Sequence, residues 1–359
     1  MKQLLAIICA FSIFMTSSSF SGITAQNSSS ESSFNYEEYI VYSYSTKTKN
    51  RRRTTLHTFY LVFHPKDSQV FSFRHGLNNY FDGTYSGSFD TEITIFFKGD
   101  KTPTVLEANK EKQLIQTLSG GDTKTYNLLP STKDSSALRQ LKEFLEEKQR
   151  VNAVKDLLRE NYTVVTFGCY DQDGIADNGK EPIEWIVLEK GNRYSLLLSF
   201  YILDFQKPFN HKEQTEIKYY KRWGESYIRQ WLNKSFLEAA FSEEEQACIQ
   251  DTVLEIKYPR DSSPGAIKEE TTTDKLFLLS KEEVVKYLPD SMAFGFCTDA
   301  FRWESPNTKS GFFKWLTINE KDITHWYCVD ESFFGTIHVD CDCGIRPAIW
   351  VSNDFLEKR

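Results

Sequence analysis

The sequence predicts an α+β protein built in two parts: an antiparallel β sandwich or barrel over residues 34–130, a linking helix over 131–160, and an α+β domain over 161–352. Three observations carry this. The chain has 359 residues, too many for one ordinary domain and suited to two. Its first third is a series of short β-branched and aromatic runs separated by turn residues. The rest alternates helical periodicity with short strands, the pattern of segregated helices and antiparallel sheet.

The N-terminus reads as an export signal over residues 1–25. Lys2 precedes an apolar run, Leu4 to Met15, and small residues end in Ile23-Thr24-Ala25. This is the charged, apolar and small-residue order of a cleaved leader. The run is well short of the roughly 20 residues of a spanning helix, so no integral membrane segment is expected after its removal. Lys2 is the only charge lost, which leaves 42 basic against 50 acidic residues and a net charge of −8. An acidic exported chain, periplasmic, surface-bound or secreted, is a poor partner for nucleic acid or anionic lipid. The one basic run, Lys47 to Arg53, is read as a hairpin loop.

From Phe34 to Pro130 the strands are Tyr39 to Tyr44, Thr54 to Phe63, Val70 to Phe73 and Glu92 to Phe97. His64-Pro65-Lys66-Asp67, Asp82-Gly83 and Lys98-Gly99-Asp100 supply turns between them. The aromatics Phe59, Tyr60, Phe63, Phe71, Phe73, Tyr80, Phe81 and Tyr85 are expected to form core, with a ligand groove as the alternative. Asp134-Ser135-Ser136 then caps a helix to about Glu160, with Leu138, Leu141, Leu145, Val154 and Leu158 at helical spacing. That stripe is expected to pack on the preceding sheet.

The second part opens with strands Thr163 to Phe167 and Ile183 to Leu188, the latter in a hairpin with Arg193 to Leu198. A helix follows from Ser226, with Ile228, Trp231, Leu232, Phe236 and Leu237 on one face. Ser242-Glu243-Glu244-Glu245 and Ser280-Lys281-Glu282-Glu283 are capping boxes that start two more helices, the second ended by Pro289. Short strands and turns close the chain, the last over Ile345 to Val351.

The blocks Val165-Thr166-Phe167-Gly168, EPIEWIVLE from Glu181, Arg229-Gln230-Trp231-Leu232-Asn233, TTDKLFLLS and Ile345-Arg346-Pro347-Ala348-Ile349-Trp350 resemble an exported bacterial domain of unknown function over about residues 163–351. The resemblance implies a C-type-lectin-like fold, shared with sulfatase-modifying factors. Two departures stand out. Where those relatives carry a Trp-Trp-Leu-Arg-Ser-Pro block, this chain reads Lys314-Trp315-Leu316-Thr317-Ile318-Asn319, and the loop after it is rich in Cys and His. The oxidising activity of sulfatase-modifying factors uses a close cysteine pair on copper before the last Gly-x-Arg. No cysteine lies between Cys297 and Cys328, so that chemistry is not expected.

Six cysteines remain in the mature chain, all after residue 160. In an exported protein they are expected to form disulfides, at least two of them, drawing on Cys328, Cys341, Cys343 and Cys297. Cys169 and Cys248 are weaker partners. His325-x-x-Cys328 and His338-x-x-Cys341-x-Cys343 also fit metal ligands, as the alternative. Asp171, Asp173 and Asp177 alternate around Gly174 in the manner of a calcium loop; beyond calcium there, no cofactor is expected. Glu184, beside Trp185, reads as a structural acid with Arg346 as partner.

No nucleophile elbow, zinc-protease helix or other catalytic constellation occurs. The expected function is recognition of a glycan or protein by an exported adhesion-type module, through loops from Phe296 to Asp342 dense in aromatics. Trp303, Phe312, Phe313, Trp326, Tyr327 and Phe333 are the candidate ligand-binding residues. A carbohydrate-active or protein-modifying enzyme is one alternative, and a structural component of a surface assembly is another.

Overall fold

A computed structural model describes residues 34–50, 53–76, 80–98, 100, 102–132, 135–172, 179–208, 222–259, 269–298, 313–322, 324–330 and 333–358. The leader expected over residues 1–25 falls outside the described residues, as do Arg51, Arg52, Asp173, Asp177, Trp303 and Phe312. Among the described residues no helix is long and apolar enough to cross a membrane.

The N-terminal part is a closed eight-stranded antiparallel barrel. Its strands are β1 (Ile40–Asn50), β2 (Arg53–His64), β3 (Gln69–Arg74), β4 (Tyr80–Gly87), β5 (Glu92–Phe97), β6 (Thr104–Ala108), β7 (Leu114–Thr117) and β8 (Thr123–Leu129). Pairing of β1 with β8 through Val41, Tyr42 and Ser43 closes the ring. The basic run lies at the β1–β2 hairpin, where Asn50 pairs with Arg53.

Alternation along each strand sorts the apolar residues into two layers. Tyr42, Leu61, Phe63, Val70, Ile93, Ile95, Leu106, Leu114 and Tyr126 fill the interior. Phe89 stacks on Tyr42 and meets Phe63 edge-on there, and Tyr85 joins them. A barrel of eight strands is just wide enough for side chains to fill, so the interior is core. Their neighbours Val41, Tyr60, Val62, Phe71 and Phe73 point outward, beneath Ala137, Leu138 and Leu141 of the linking helix. Of the aromatics read as core or groove, Phe63 and Tyr85 therefore belong to the inner core and Tyr60, Phe71, Phe73 and Tyr80 to an outer, helix-covered one.

That helix, α1 (Ser136–Asn161), starts where Ser135 accepts a hydrogen bond from Leu138 N. Its first half buries the barrel-facing residues, and its second half sends Val151, Val154 and Leu158 into the core of the C-terminal part. At roughly 1.5–3 kcal/mol per buried aliphatic side chain, both ends are anchored, and α1 is a shared element rather than a cover for the barrel alone.

The C-terminal part is α+β. One antiparallel sheet has the order β15 (Leu276–Phe277), β20 (Ala348–Ser352), β11 (Tyr194–Ser199), β10 (Glu181–Lys190), β9 (Val164–Tyr170). A second has the order β12 (Asp204–Pro208), β19 (Asp342–Ile345), β16 (Trp315–Asp322), β17 (His325–Val329), β18 (Gly335–His338). β13 (Thr252–Lys257) and β14 (Glu269–Asp274) form a separate hairpin. The helix from Tyr227 runs through α2 (Tyr227–Gln230), a π-helical stretch Trp231–Phe236 and α3 (Leu237–Ala240). It buries Ile228, Trp231, Leu232, Phe236 and Leu237, the face read from the sequence. Both capping boxes form, at Ser242/Glu245 opening α4 (Glu243–Cys248) and at Ser280/Glu283 opening α5 (Lys281–Tyr287). A last turn, α6 (Asn353–Leu356), follows β20.

Four fully buried tryptophans punctuate the core, and the indole N–H of each has an acceptor, as buried indoles require. Trp185 donates to Phe167 O, Trp223 to Asp274 Oδ2, Trp315 to Ala293 O and Trp326 to Ile318 O, at 2.7, 3.0, 2.8 and 3.2 Å. The terminal Gly-Ile-Arg block has a steric origin. Gly344 N donates to Lys314 O at 3.0 Å, and a Cβ on Gly344 would sit 2.5 Å from that oxygen, so only glycine lets β19 close on β16.

Arg346 corrects one expectation. It is fully buried and donates to Ser199 O and Phe294 O at 3.1 and 3.3 Å, with Trp315 below its guanidinium. Burial pulls its pKa down to about 9. Glu184 pairs instead with Arg159 of α1 at 2.9 Å, because alternation on β10 turns Trp185 inward and Glu184 toward the helix.

Candidate functional site

The β17–β18 hairpin brings together the residues with the clearest capacity for recognition. Residues directly opposite in an antiparallel pair share a face. His325 pairs with His338 and Tyr327 with Thr336, so these four lie on one side, while Trp326 opposite Ile337 and Cys328 opposite Gly335 lie on the other. Trp326 is 1% exposed. It belongs to the core and is corrected from the list of ligand-binding candidates: the pleat sends it inward between two outward neighbours.

Tyr327 is half-buried, and Lys281, the first residue of α5, places its ammonium 3.8 Å from the ring centroid and 5.0 Å from that of Phe334. Lys281 is held there by its own backbone, since its N–H donates to Asn319 Oδ1 of β16 at 2.6 Å. At the tip of the hairpin, Phe333 N donates to Asp330 O at 2.9 Å. Phe333 has φ +74°, a left-handed conformation that is costly for a bulky side chain. Its ring lies 4.4 Å from that of Phe334. Next along the chain, a Cβ on Gly335 would collide with the Asp330 carboxylate, which also pairs with Lys314 at 3.4 Å.

At the other end of the same face the two histidines meet edge to face, ring centroids 5.3 Å apart. Asp322 Oδ1 accepts from His325 Nδ1 at 3.1 Å and from Thr324 N and Oγ1 at 2.9 and 2.7 Å. Burial alone would raise the Asp322 carboxyl, but these donors outweigh it and hold its pKa at about 2. Asp340 is lowered likewise, burial opposed by the hydrogen bond from His338 Nδ1. The face is thus a stripe of imidazoles, anions, aromatic rings and one ammonium.

Tyr327 and Phe333 of the sequence candidates lie in this stripe. Phe313 is half-buried against the C-terminal core, its N–H donating to Gly295 O at 2.7 Å. Trp303 and Phe312 lie outside the described residues. Lys281 was missed as a site residue because in sequence it is an interior residue of a capping box, and only the fold carries it to Tyr327. Of the calcium candidates, Asp171 is described and half-buried, while Asp173 and Asp177 lie outside the described residues.

The expected disulfides are not formed: Cys169, Cys248, Cys297, Cys328, Cys341 and Cys343 are all free thiols. Topology supplies a reason. Cys328 is on β17 and Cys343 on β19, with β16 between them. Two strand spacings of about 4.8 Å separate them, beyond the roughly 7 Å that a bridge spans between Cα atoms. Burial pushes the Cys328 thiol up to about 11 and raises those of Cys297 and Cys343 well above the ordinary thiol value.

A second polar cluster ties the β13–β14 hairpin to the helix from Tyr227. Asp274 accepts from Trp223 Nε1, from Arg229 Nε at 2.7 Å and from Thr272 Oγ1 at 2.7 Å. Arg222 pairs with Glu320 at 3.2 Å and lies over Tyr258. Burial, with the carboxylates of Glu270 and Glu320, drives the Tyr258 phenol strongly upward. Each acid here faces a donor, which makes the cluster a brace between two elements.

The C-terminal part is therefore an α+β domain with a solvent-facing aromatic and histidine stripe on one sheet. Residues 192–353 match the model of a family described as a domain of unknown function (DUF6273). The match runs from the turn before β11 into α6 and takes in the whole stripe, while β9 and β10 lie outside it. No curated protein and no solved structure matches the chain.

Proposed function

We propose that this chain is an exported binding module that recognises a glycan or a protein surface through the β17–β18 face of a C-type-lectin-like C-terminal domain. One observation carries the reading: Phe333, held at φ +74° beside Phe334, whose ring shares the Lys281 ammonium with Tyr327. Backbone strain of about 1–3 kcal/mol persists where the surroundings impose it, and it clusters at ligand clamps and active sites. Aromatic rings rimmed by ammonium, imidazole and carboxylate groups suit sugar stacking or an interface anchor. The two-sheet arrangement and the Gly344-Ile345-Arg346 block support the lectin-like reading, and the order of residues 1–25 supports export.

Glycan and protein arrays probed with the mature chain test this. Binding that Tyr327→Ala and Phe333→Ala each reduce at least tenfold, with folding intact, is the expected result. Retained binding in both variants overturns the choice of face. Turnover of a carbohydrate or protein substrate would instead favour the enzymatic alternative, with the Tyr258, Glu270 and Glu320 cluster as the place to look. Export is tested separately: the recovered protein should begin at Gln26.

A further inference from the structure

We propose that His325 and His338 form a two-histidine site for a divalent late transition metal of the zinc class. The pairing geometry is the first support. Val339 N donates to Thr324 O at 3.0 Å, which makes the neighbouring His325–His338 pair a non-hydrogen-bonded one, the kind whose side chains approach most closely. The ring separation is the second. A tetrahedral metal bonded at about 2.0–2.1 Å to one nitrogen of each imidazole sets the ring centroids about 5 Å apart, and they are 5.3 Å apart.

The surrounding carboxylates are the third support. Metal-binding histidines characteristically donate the other ring nitrogen to a carboxylate, which fixes the tautomer and raises ligand basicity. A carboxylate can only accept, so Nδ1–H donates to Asp322 in His325 and to Asp340 in His338. Nε2 is then the ligating atom of each ring. The two carboxylates hydrogen-bonded to the pair also balance a dication. No group of three or more His, Cys, Asp or Glu among the described residues is arranged to hold a metal ion, so the proposal uses these two protein ligands alone. The site is accordingly a two-point chelate.

The proposal is independent of the recognition reading. Zinc titration of the chelator-treated full chain by calorimetry tests it, with thermal melts to verify that each variant folds. One equivalent should bind, and His325→Ala or His338→Ala should each weaken it at least tenfold. The double variant should bind no more tightly than either single one, because a lone imidazole no longer chelates. Asp322→Asn should cost roughly tenfold or more through the ring it orients, while Cys341→Ser and Tyr327→Ala should leave zinc affinity unchanged. Native-like affinity in both single histidine variants overturns the site. Loss of binding on Cys341→Ser also overturns it, by moving the metal to the thiol.

Discussion

Lys281 and Tyr327 lie 46 positions apart in sequence and meet with the ammonium 3.8 Å from the ring centroid. The contact joins the first turn of α5 to the outward face of β17. A capping box and a strand register, each set locally, thus combine into one feature of the surface.

A double-mutant cycle on Lys281→Ala and Tyr327→Ala should give a coupling of about 0.5–1 kcal/mol, the value for a cation–π pair near solvent. Chemical denaturation of the four proteins measures it. A coupling indistinguishable from zero would mean that the ammonium and the ring merely lie close.

Phe333→Gly should cost less stability than Phe333→Ala, by about 1 kcal/mol, because both lose the packed ring but glycine adopts φ +74° without the clash between Cβ and backbone. Phe333→Ala keeps the strain and should not be stabilised. Both should lose ligand binding, so the difference in stability between them reports the backbone strain alone.

Asp322 predicts an acid-limb effect. Its folded pKa of about 2 lies below the unfolded value of about 3.9. The contribution is therefore fully present above that unfolded value and is lost as pH falls toward 2. Urea midpoints between pH 5 and pH 2 should fall less steeply in Asp322→Asn than in the native protein. The side chain is half exposed, so the difference in slope should be modest.

Thiol reactivity should follow burial. Under native conditions Cys169 and Cys341, both exposed, should react quickly with a thiol reagent, and Cys248 more slowly. Cys297, Cys328 and Cys343 should react only on denaturation, since burial keeps them protonated. Fewer than six titratable thiols in the denatured, unreduced protein would show that bridges form after all.

What the sequence by itself determined is local. Ser135 capping α1, the boxes at Ser242/Glu245 and Ser280/Glu283, and the β10–β11 hairpin all depend on partners within a few residues, whose spacing is written in the chain. The class of the N-terminal part followed from its strand runs, but sandwich against barrel did not. That choice lies in the β1–β8 pairing, between strands at opposite ends of the part. The site was legible only in fragments. Tyr327 and Phe333 stood out as aromatics, yet Trp326 stood out equally, and a pleat that alternates every residue decides which faces solvent. Insertion of β16 between β17 and β19 separated Cys328 from Cys343. Register across β17 and β18 set His325 against His338. Such contacts close long loops, and only the packing of the whole core selects among them.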